Sequence, residues 1–236
     1  MMNIDNILPL NIETYDLKSK KAGLVVIDVL KGFCETGAGN LAPSKKSQQM
    51  DEMLKEVNSL SSQFVEKEMP VFAFIDSHLP EIAEPPYPTH CIKGTAEVEL
   101  MDEIAWFYDH PLVTCFEKDC INSYIGAIDP KTRINYFEEW IKDNHLETLI
   151  FVGVCTDICI VDCVVTTLSV RNHSLLSALK DIVVYLPACA TYDMTSQHLK
   201  KTALPEHMNH PQGLMHHIGA KIMAFRGAIL SDKIQF

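Results

Sequence analysis

The stretch from Leu149 to Leu168 constrains the fold more than any other part of the sequence. It opens with a continuous apolar run at 149–154, rich in β-branched and aromatic residues, which predicts a fully buried strand. From Ile158 onward, apolar residues recur at three- and four-residue steps, which predicts a helix. Thr156 and Asp157 are good N-cap residues, so we expect the helix to begin there. The stretch therefore predicts a strand, a tight turn and a helix.

This arrangement places Cys159 in the first turn of the predicted helix. Unpaired backbone N–H groups and the positive end of the helix dipole favour a thiolate there, and hence an activated nucleophile. Two other interpretations stay open at this point. Cysteines in an apolar helix are usually packing residues. The four-residue recurrence of Cys155, Cys159 and Cys163 could also suit a metal, although no histidine spacing accompanies it.

Composition and charge narrow the class of protein. A chain of 236 residues suits one sizeable domain, and its net charge of -11 with a pI near 5.3 argues against nucleic acid or an anionic membrane as a partner. Eight cysteines are too sparse for a disulfide scaffold. Neither a signal peptide nor an apolar run of membrane-spanning length is visible. We therefore expect free thiols and a cytoplasmic setting, with the nucleus as a further location in addition to the cytoplasm.

Apolar runs and helical periodicity alternate along the rest of the chain. Further strands are predicted at 23–30, 70–76, 112–116, 182–186 and 228–230, and helices at 44–66, 97–107, 136–144 and 210–225. Such alternation predicts a three-layer α/β/α fold with a doubly wound, mostly parallel sheet of about six strands. We expect residues 1–21 to form a polar extension on the surface and residues 22–236 to form a single domain.

Four chemically useful side chains lie at or just after the carboxyl ends of four different predicted strands: Asp28, Asp76, Lys118 and Cys159. Ligands bind at this edge of such sheets. Asp28 has apolar neighbours, which raise the pKa of a carboxylate, so it is the candidate base for the thiol. Lys118 would hold the charges of Asp28 and the thiolate together. Singly, a bracing aspartate and a surface lysine would be ordinary structural residues, but their shared location favours a catalytic site.

A second group of residues suggests a metal site. Asp76 and His78 stand two residues apart at a strand end, and His90 follows in a proline-rich loop at 77–94, a length of loop that is usually functional. Two histidines and a carboxylate leave open positions on a borderline divalent metal. The competing interpretation is that these loop histidines only form hydrogen bonds. Either of two glutamates between the ligands could complete the set, Glu81 or Glu84. The remaining clustered histidines are interpreted as surface or core residues, not ligands: His207, His210, His216 and His217.

The same segments carry a resemblance to a known family. The motifs "VVIDV", "FEKD", "GVCTDIC" and "DSH", the last followed by "YPTHCIKGT", resemble those of the nicotinamidase branch of the isochorismatase-like cysteine hydrolases. The match runs from about Gly23 to Tyr192, and "GFCETGAGNLAP" and "INSYIGAID" are most similar to plant-type nicotinamidases. The resemblance implies hydrolysis of nicotinamide to nicotinate and ammonia in NAD salvage, through a thioester on the nucleophile.

The resemblance also implies roles for individual residues. The catalytic triad would be Asp28, Lys118 and Cys159. One divalent ion, with zinc expected and iron or manganese as alternatives, would be held by Asp76, His78 and His90, with Glu84 as a further candidate. The family has a cis peptide at the position of Val154–Cys155, and the Cys155 and Cys159 N–H groups would form an oxyanion hole. Phe33 and Tyr87 would be aromatic walls for the substrate, and Tyr124 a further substrate contact. We also expect a homo-oligomer.

At three positions this chain differs from many bacterial members of the family that it resembles. Many bacterial members have a glutamine, a polar residue and an aromatic residue where this chain has Leu30, Gly32 and Ser77; these differences concern the metal's surroundings and the pocket rim.

Other functions stay open as alternatives. A metal-free isochorismatase-type hydrolase of the same fold would not need the metal ligands, and another small-amide hydrolase is a further alternative. A catalytically silent binding protein would be expected to lose Cys159 or Lys118. A thiol redox protein would need a CxxC pair, which this sequence lacks.

Overall fold

The computed structural model describes residues 4–82, 84–196, 199 and 206–236, without the side chain of His207. Seven strands in this part of the chain form one sheet in the order β1-β7-β6-β5-β2-β3-β4, and every neighbouring pair is parallel. The strands are β1 (Ile12–Asp16), β2 (Ala22–Ile27), β3 (Val71–Asp76), β4 (Val113–Lys118), β5 (Thr148–Val154), β6 (Asp181–Ala190) and β7 (Ile229–Gln235). The predicted doubly wound α/β/α class is confirmed, with seven strands where about six were expected.

Helices cover both faces of the sheet. In the described residues the α-helices are α1 (Ile4–Ile7), α2 (Lys31–Cys34), α3 (Gln48–Glu66), α4 (Ser123–Gly126), α5 (Tyr136–Asp143), α6 (Val161–Asn172) and α7 (Gln212–Phe225). Three short 3₁₀ helices, at Ala96–Val98, Asp102–Asp109 and Glu206–Met208, and a π-helical turn at Thr156–Ile160 complete the elements. None of the helices in this part of the chain is long and apolar enough to cross a membrane.

The strands are apolar throughout because both of their faces are buried. In β2, Leu24 and Val26 pack with α3, whereas Val25 and Ile27 pack on the opposite face with α5 and α6. Successive side chains of a strand point to opposite faces, so a strand covered on both sides reads as one continuous apolar run. This explains why the central strands could be identified from the sequence.

The N-terminal segment differs from the expected surface extension. Ile12–Asp16 is an edge strand that pairs in parallel with β7, which itself extends to Gln235, beyond the predicted 228–230. Only Tyr15 of β1 is buried, so the strand has neither a continuous apolar run nor an alternating pattern to predict it. Its identity as a strand depends on pairing with residues more than 200 positions away.

Two local predictions also need correction. The helix expected at 97–107 is two 3₁₀ helices, Ala96–Val98 and Asp102–Asp109. The helix after β5 does not begin with a Thr156 or Asp157 N-cap: Cys155 precedes a π-helical turn and no side chain caps it. Thr156 and Asp157 instead bond to groups outside the turn, as described below.

The register of the central strands fixes the site. β2 lies between β5 and β3, with Ile27 opposite both Gly153 and Phe74, so the residue after Ile27 lies beside the end of each neighbour. In the next pair, Asp76 is directly opposite Lys118. The four strands β5-β2-β3-β4 are adjacent, and their carboxyl ends form one continuous edge.

Candidate active site

A cavity of about 400 Å³ opens at this edge of the sheet. Its lining includes Cys159 and Cys155 from the end of β5, Asp76 from β3, and His90 from the proline-rich loop. The cavity therefore brings the predicted nucleophile and two predicted metal ligands together, as the position of ligands in doubly wound sheets would suggest.

Asp28 lies directly after β2 and has a φ of 54°, in the left-handed region that non-glycine residues rarely adopt. Its side chain is fully buried, and neither carboxylate oxygen makes a well-directed hydrogen bond. Burial raises the pKa of Asp28 to about 6, with Asp76 adding to the rise while Lys118 and the Cys159 thiol oppose it. A carboxylate with this pKa is a suitable proton acceptor near neutral pH.

Lys118, the last residue of β4, joins the two aspartates. Its Nζ donates to Asp76 Oδ1 at 2.7 Å and lies 3.0 Å from Asp28 Oδ2, and its side chain is inaccessible to solvent. Burial disfavours the ammonium group, but the two carboxylates outweigh burial and raise the pKa of Lys118 well above its usual range. Lys118 is therefore a permanent cation at the site. Burial also opposes ionisation of Asp76, yet Lys118 and the neighbouring histidines lower the pKa of that carboxyl.

Cys159 lies in the π-helical turn, is partly accessible and lines the cavity. Burial and then the Asp28 charge raise its pKa well above that of a free thiol, and Lys118 only partly offsets them. Burial and the neighbouring carboxylate therefore oppose the thiolate that a position at a helix start favours. A neutral thiol needs a base in order to attack, and the buried carboxylate of Asp28 lies beside it.

Asp76, His78 and His90 are all buried, and their ligand atoms lie within 4.8 Å of one another. Both His78 Nε2 and His90 Nε2 approach Asp76 Oδ2, at 2.9 and 3.2 Å. The Nδ1 of His90 lies 2.8 Å from the carbonyl oxygen of Pro88, which orients the ring and leaves Nε2 facing the cluster. One carboxylate and two imidazoles suit a borderline divalent metal, so these residues fit such an ion.

Glu84 is the better placed of the two candidate additional ligands. Its Oε2 lies 3.7 Å from His78 Nε2 and 3.8 Å from His90 Nε2, while Oε1 accepts a hydrogen bond from the Ile121 backbone at 2.7 Å. Glu81 is exposed and does not line the cavity. The structure therefore places Glu84, and not Glu81, beside the cluster.

Two of the three predicted aromatic contacts line the cavity. The Phe33 ring is tilted against the His90 ring and the Tyr87 ring meets it edge-on, with centroid distances of 5.7 and 6.2 Å. Burial raises the pKa of Tyr87 to about 12, which keeps its hydroxyl neutral. Tyr124 is not among the described residues that line the cavity. It is buried in the core beside α5, where its hydroxyl donates to Glu138, so the structure does not bring it to the substrate site.

The turn between β5 and Cys159 has the expected backbone. The Val154–Cys155 peptide is cis, as the family resemblance implies. Gly153 precedes it with a φ of +118°, and a Cβ there would lie 2.1 Å from the Ile27 carbonyl oxygen. Glycine at position 153 therefore lets β5 approach β2 closely, directly before the turn that presents Cys159.

Sequence reasoning missed part of the cavity wall. Tyr192, Asp193 and Met194, which follow β6, line the cavity together with the 37–44 loop and Met208. Tyr192 lies two residues after the end of β6 at Ala190, but the sequence predicts that this strand ends at Leu186, so the rule that identified the other site residues did not reach Tyr192. Of the histidines interpreted as surface or core, His210 and His217 are buried and His216 is partly buried, whereas the His207 side chain lies outside the described residues.

Comparison with known proteins identifies the class to which this fold and site belong. The isochorismatase domain family matches residues 22–210, and the chain belongs to that family. Among curated proteins, the chain is 43% identical over 219 residues to nicotinamidase 1 of Arabidopsis thaliana, covering 93% of this chain and 88% of that protein.

Solved structures share the fold at much lower identity. A pyrazinamidase/nicotinamidase from Streptococcus mutans has a TM-score of 0.65 at 17% identity, covering 89% of this chain and 99% of the other. A nicotinamidase from Bacillus subtilis gives 0.63 at 20% identity, with 90% and 99% coverage. N-carbamoylsarcosine amidase from Thermoplasma acidophilum gives 0.60 at 19% identity, with 91% and 99% coverage.

Proposed function

We propose that this protein is a metal-dependent cysteine amidohydrolase that converts nicotinamide to nicotinate and ammonia in NAD salvage. The observation that carries the proposal is the Cys159 thiol beside the buried Asp28–Lys118 pair, in the same cavity as the Asp76, His78 and His90 cluster. The 43% identity to a plant nicotinamidase over most of both chains supports the substrate.

The first half of the reaction forms a thioester. Asp28 takes the thiol proton as the Cys159 sulfur attacks the carboxamide carbon, and the carbonyl π electrons move to oxygen. The backbone N–H groups of Cys155 and Cys159 are the proposed donors to that oxyanion. When the intermediate collapses, the C–N bond breaks, Asp28 passes its proton to the departing nitrogen, and ammonia leaves a nicotinoyl group on sulfur.

The second half of the reaction hydrolyses the thioester. Asp28, again ionised, takes a proton from water as the water oxygen attacks the thioester carbon. The C–S bond then breaks, Asp28 passes its proton to the Cys159 sulfur, and nicotinic acid leaves and ionises to nicotinate by losing its remaining acidic proton to solvent. A pKa of about 6 suits Asp28 to both directions of transfer. Lys118 orients Asp28 and, as a permanent cation, offsets the charge of the two buried aspartates.

Binding and orientation are assigned to the cavity walls. Phe33 and Tyr87 would sandwich the pyridine ring. Asp76, His78 and His90 would hold a divalent ion, zinc or alternatively iron or manganese, which would supply a Lewis acid for the ring nitrogen of the substrate. This cluster favours an amidase over the metal-free isochorismatase-type alternative, which would not need it. The eight free cysteines fit a reducing compartment such as the cytoplasm, and the homo-oligomer and the absence of nucleic-acid binding stay predictions.

Trapping the acyl group tests the chemistry. Purified protein supplied with nicotinamide should release ammonia, and added hydroxylamine should divert product to nicotinoyl hydroxamate. Rapidly quenched protein should carry a nicotinoyl adduct on the Cys159 peptide by mass spectrometry. Fast turnover with neither hydroxamate nor adduct would refute the cysteine mechanism. Release of ammonia from other amides but not from nicotinamide would agree with the cysteine mechanism and would refute nicotinamide as the substrate.

A further inference from the structure

His210 lies between the nucleophile-bearing turn and the cavity wall. It is 7% exposed, and its Nε2 lies 2.7 Å from Asp157 Oδ2, two residues before Cys159. On the other side, its Nδ1 lies 3.0 Å from the Tyr192 carbonyl oxygen, and its ring stacks on Tyr192 at a centroid distance of 3.8 Å. Its backbone also pairs with Met194 through two hydrogen bonds of 2.8 and 2.9 Å.

The two ring nitrogens of His210 face two acceptors, the Asp157 carboxylate and the Tyr192 carbonyl oxygen. The second oxygen of Asp157 accepts from the Thr191 hydroxyl at 2.6 Å, so both carboxylate oxygens of Asp157 are held by the segment that follows β6. Hydrogen bonds to charged groups are stronger and more directional than neutral ones.

The π-helical turn that contains Asp157 and Cys159 has no side-chain cap, and its form departs from the regular helix that the sequence predicts. Thr156 is tied to Ala190 O at 3.1 Å and to His216 Nδ1 at 2.8 Å. The helix α7, which also carries His216, packs so closely on the turn that a Cβ at Gly219 would lie 2.8 Å from Asp157 Cα. The side chains of Thr156 and Asp157 therefore set where the turn sits.

We infer that His210 is a positioning residue for the nucleophile: through Asp157 it fixes the turn that places the Cys159 sulfur, and through Tyr192 it fixes one wall of the cavity. The inference rests on the proposed function only where turnover is the readout. A displacement of about 1 Å in a reacting group can cost about a hundredfold in rate, so the bond to Asp157 should act on kcat. The bond to Tyr192 should act on KM instead.

Two substitutions separate these bonds. The terminal amide of glutamine can take the place of Nε2, and that of asparagine the place of Nδ1. His210→Gln should therefore keep kcat within about threefold and raise KM, whereas His210→Asn should lower kcat by about a hundredfold with KM little changed. Alkylation of Cys159 by iodoacetamide, followed on its peptide by mass spectrometry, should slow in His210→Asn and not in His210→Gln.

His217→Asn is the matched control. His217 is also 7% exposed, but its Nε2 lies 2.7 Å from the carbonyl oxygen of Leu8, in the N-terminal segment. This variant should keep wild-type kcat and alkylation rate. Because alkylation needs no substrate, it reports on the positioning role even if nicotinamide is not hydrolysed.

Several results would overturn the inference. Equal loss of kcat in His210→Asn and His210→Gln, or alkylation unchanged in a folded His210→Asn, would show that the Asp157 bond does not position the nucleophile. A loss of kcat in His217→Asn as large as that in His210→Asn would show that the effect is general destabilisation. If His210→Asn does not fold, Asp157→Asn decides, since it weakens the same bond from the other side: slower alkylation supports the role, and an unchanged rate overturns it.

Discussion

Replacing Asp28 by asparagine should abolish turnover and at the same time change how stability depends on pH. Burial raises the pKa of Asp28 from 3.8 to about 6, and at 1.36 kcal/mol per pH unit this corresponds to roughly 3 kcal/mol. In the folded protein Asp28 keeps its proton to a higher pH than in the unfolded chain. The ionised carboxylate therefore disfavours the folded state above pH 6, and its contribution to stability falls as pH rises from about 4 to about 6. Asparagine does not titrate, so the variant lacks this fall.

Urea denaturation of wild-type protein and Asp28→Asn at matched metal content, at intervals between pH 4 and pH 8, gives the difference in unfolding free energy. We expect that difference to move in favour of the variant by roughly 3 kcal/mol between pH 4 and pH 7. Asp28→Asn should also form the Cys159 acyl adduct very slowly or not at all. A stability difference that does not change with pH would refute the raised pKa, and normal adduct formation would refute the role of Asp28 as the base.

Four further changes test other parts of the site and fold. Cys159→Ala should abolish turnover with the fold intact, whereas Cys163→Ala, in the core, should cost about 1 kcal/mol in a urea titration and keep most activity; equal loss of activity in both folded variants would contradict the choice of nucleophile. His90→Ala or chelation should lower bound metal in elemental analysis and mainly raise KM, and normal binding by metal-free protein would reject the metal site. Tyr124→Phe should leave kcat and KM within twofold and lower the free energy of unfolding by about 1 kcal/mol, because the hydrogen bond to Glu138 is lost. A large change in KM would show that Tyr124 contacts the substrate after all. Gly153→Ala should destabilise by more than about 2 kcal/mol, because its Cβ would meet the Ile27 carbonyl, and an unchanged urea midpoint would contradict this.

The central sheet could be predicted because its strands are covered on both faces. A buried parallel strand is a continuous apolar run, and its carboxyl end is visible as the first polar residue after it, which is where Asp28 and Asp76 stand. The edge strand Ile12–Asp16 has a single buried residue and no such signal. Its strand conformation comes from pairing with β7, and a local sequence pattern cannot predict a pairing with such a distant segment.

The parts of the site that sequence reasoning missed depend on contacts between distant residues. His210 and Asp157 are 53 positions apart, and no spacing rule relates them. The pKa of Cys159 depends in the same way on a distant residue, because burial and the Asp28 charge raise it, and position near a helix start does not reveal either effect. Tyr124 lies in a motif shared with the family but packs against α5. A motif therefore locates a segment more reliably than it assigns each side chain.

The charges at the carboxyl edge of the sheet connect the catalytic and metal residues into one system. Asp28 and Asp76 share the cation of Lys118, at 3.0 and 2.7 Å, and Glu84 adds a third carboxylate close to both histidines. With Cys159 neutral, these groups carry more negative than positive charge in a setting where unpaired charge is costly. A divalent cation on Asp76, His78 and His90 would offset that excess. The Asp76–Lys118 ion pair therefore joins the proposed metal ligands to the proposed triad, and a substitution in either group should affect the other.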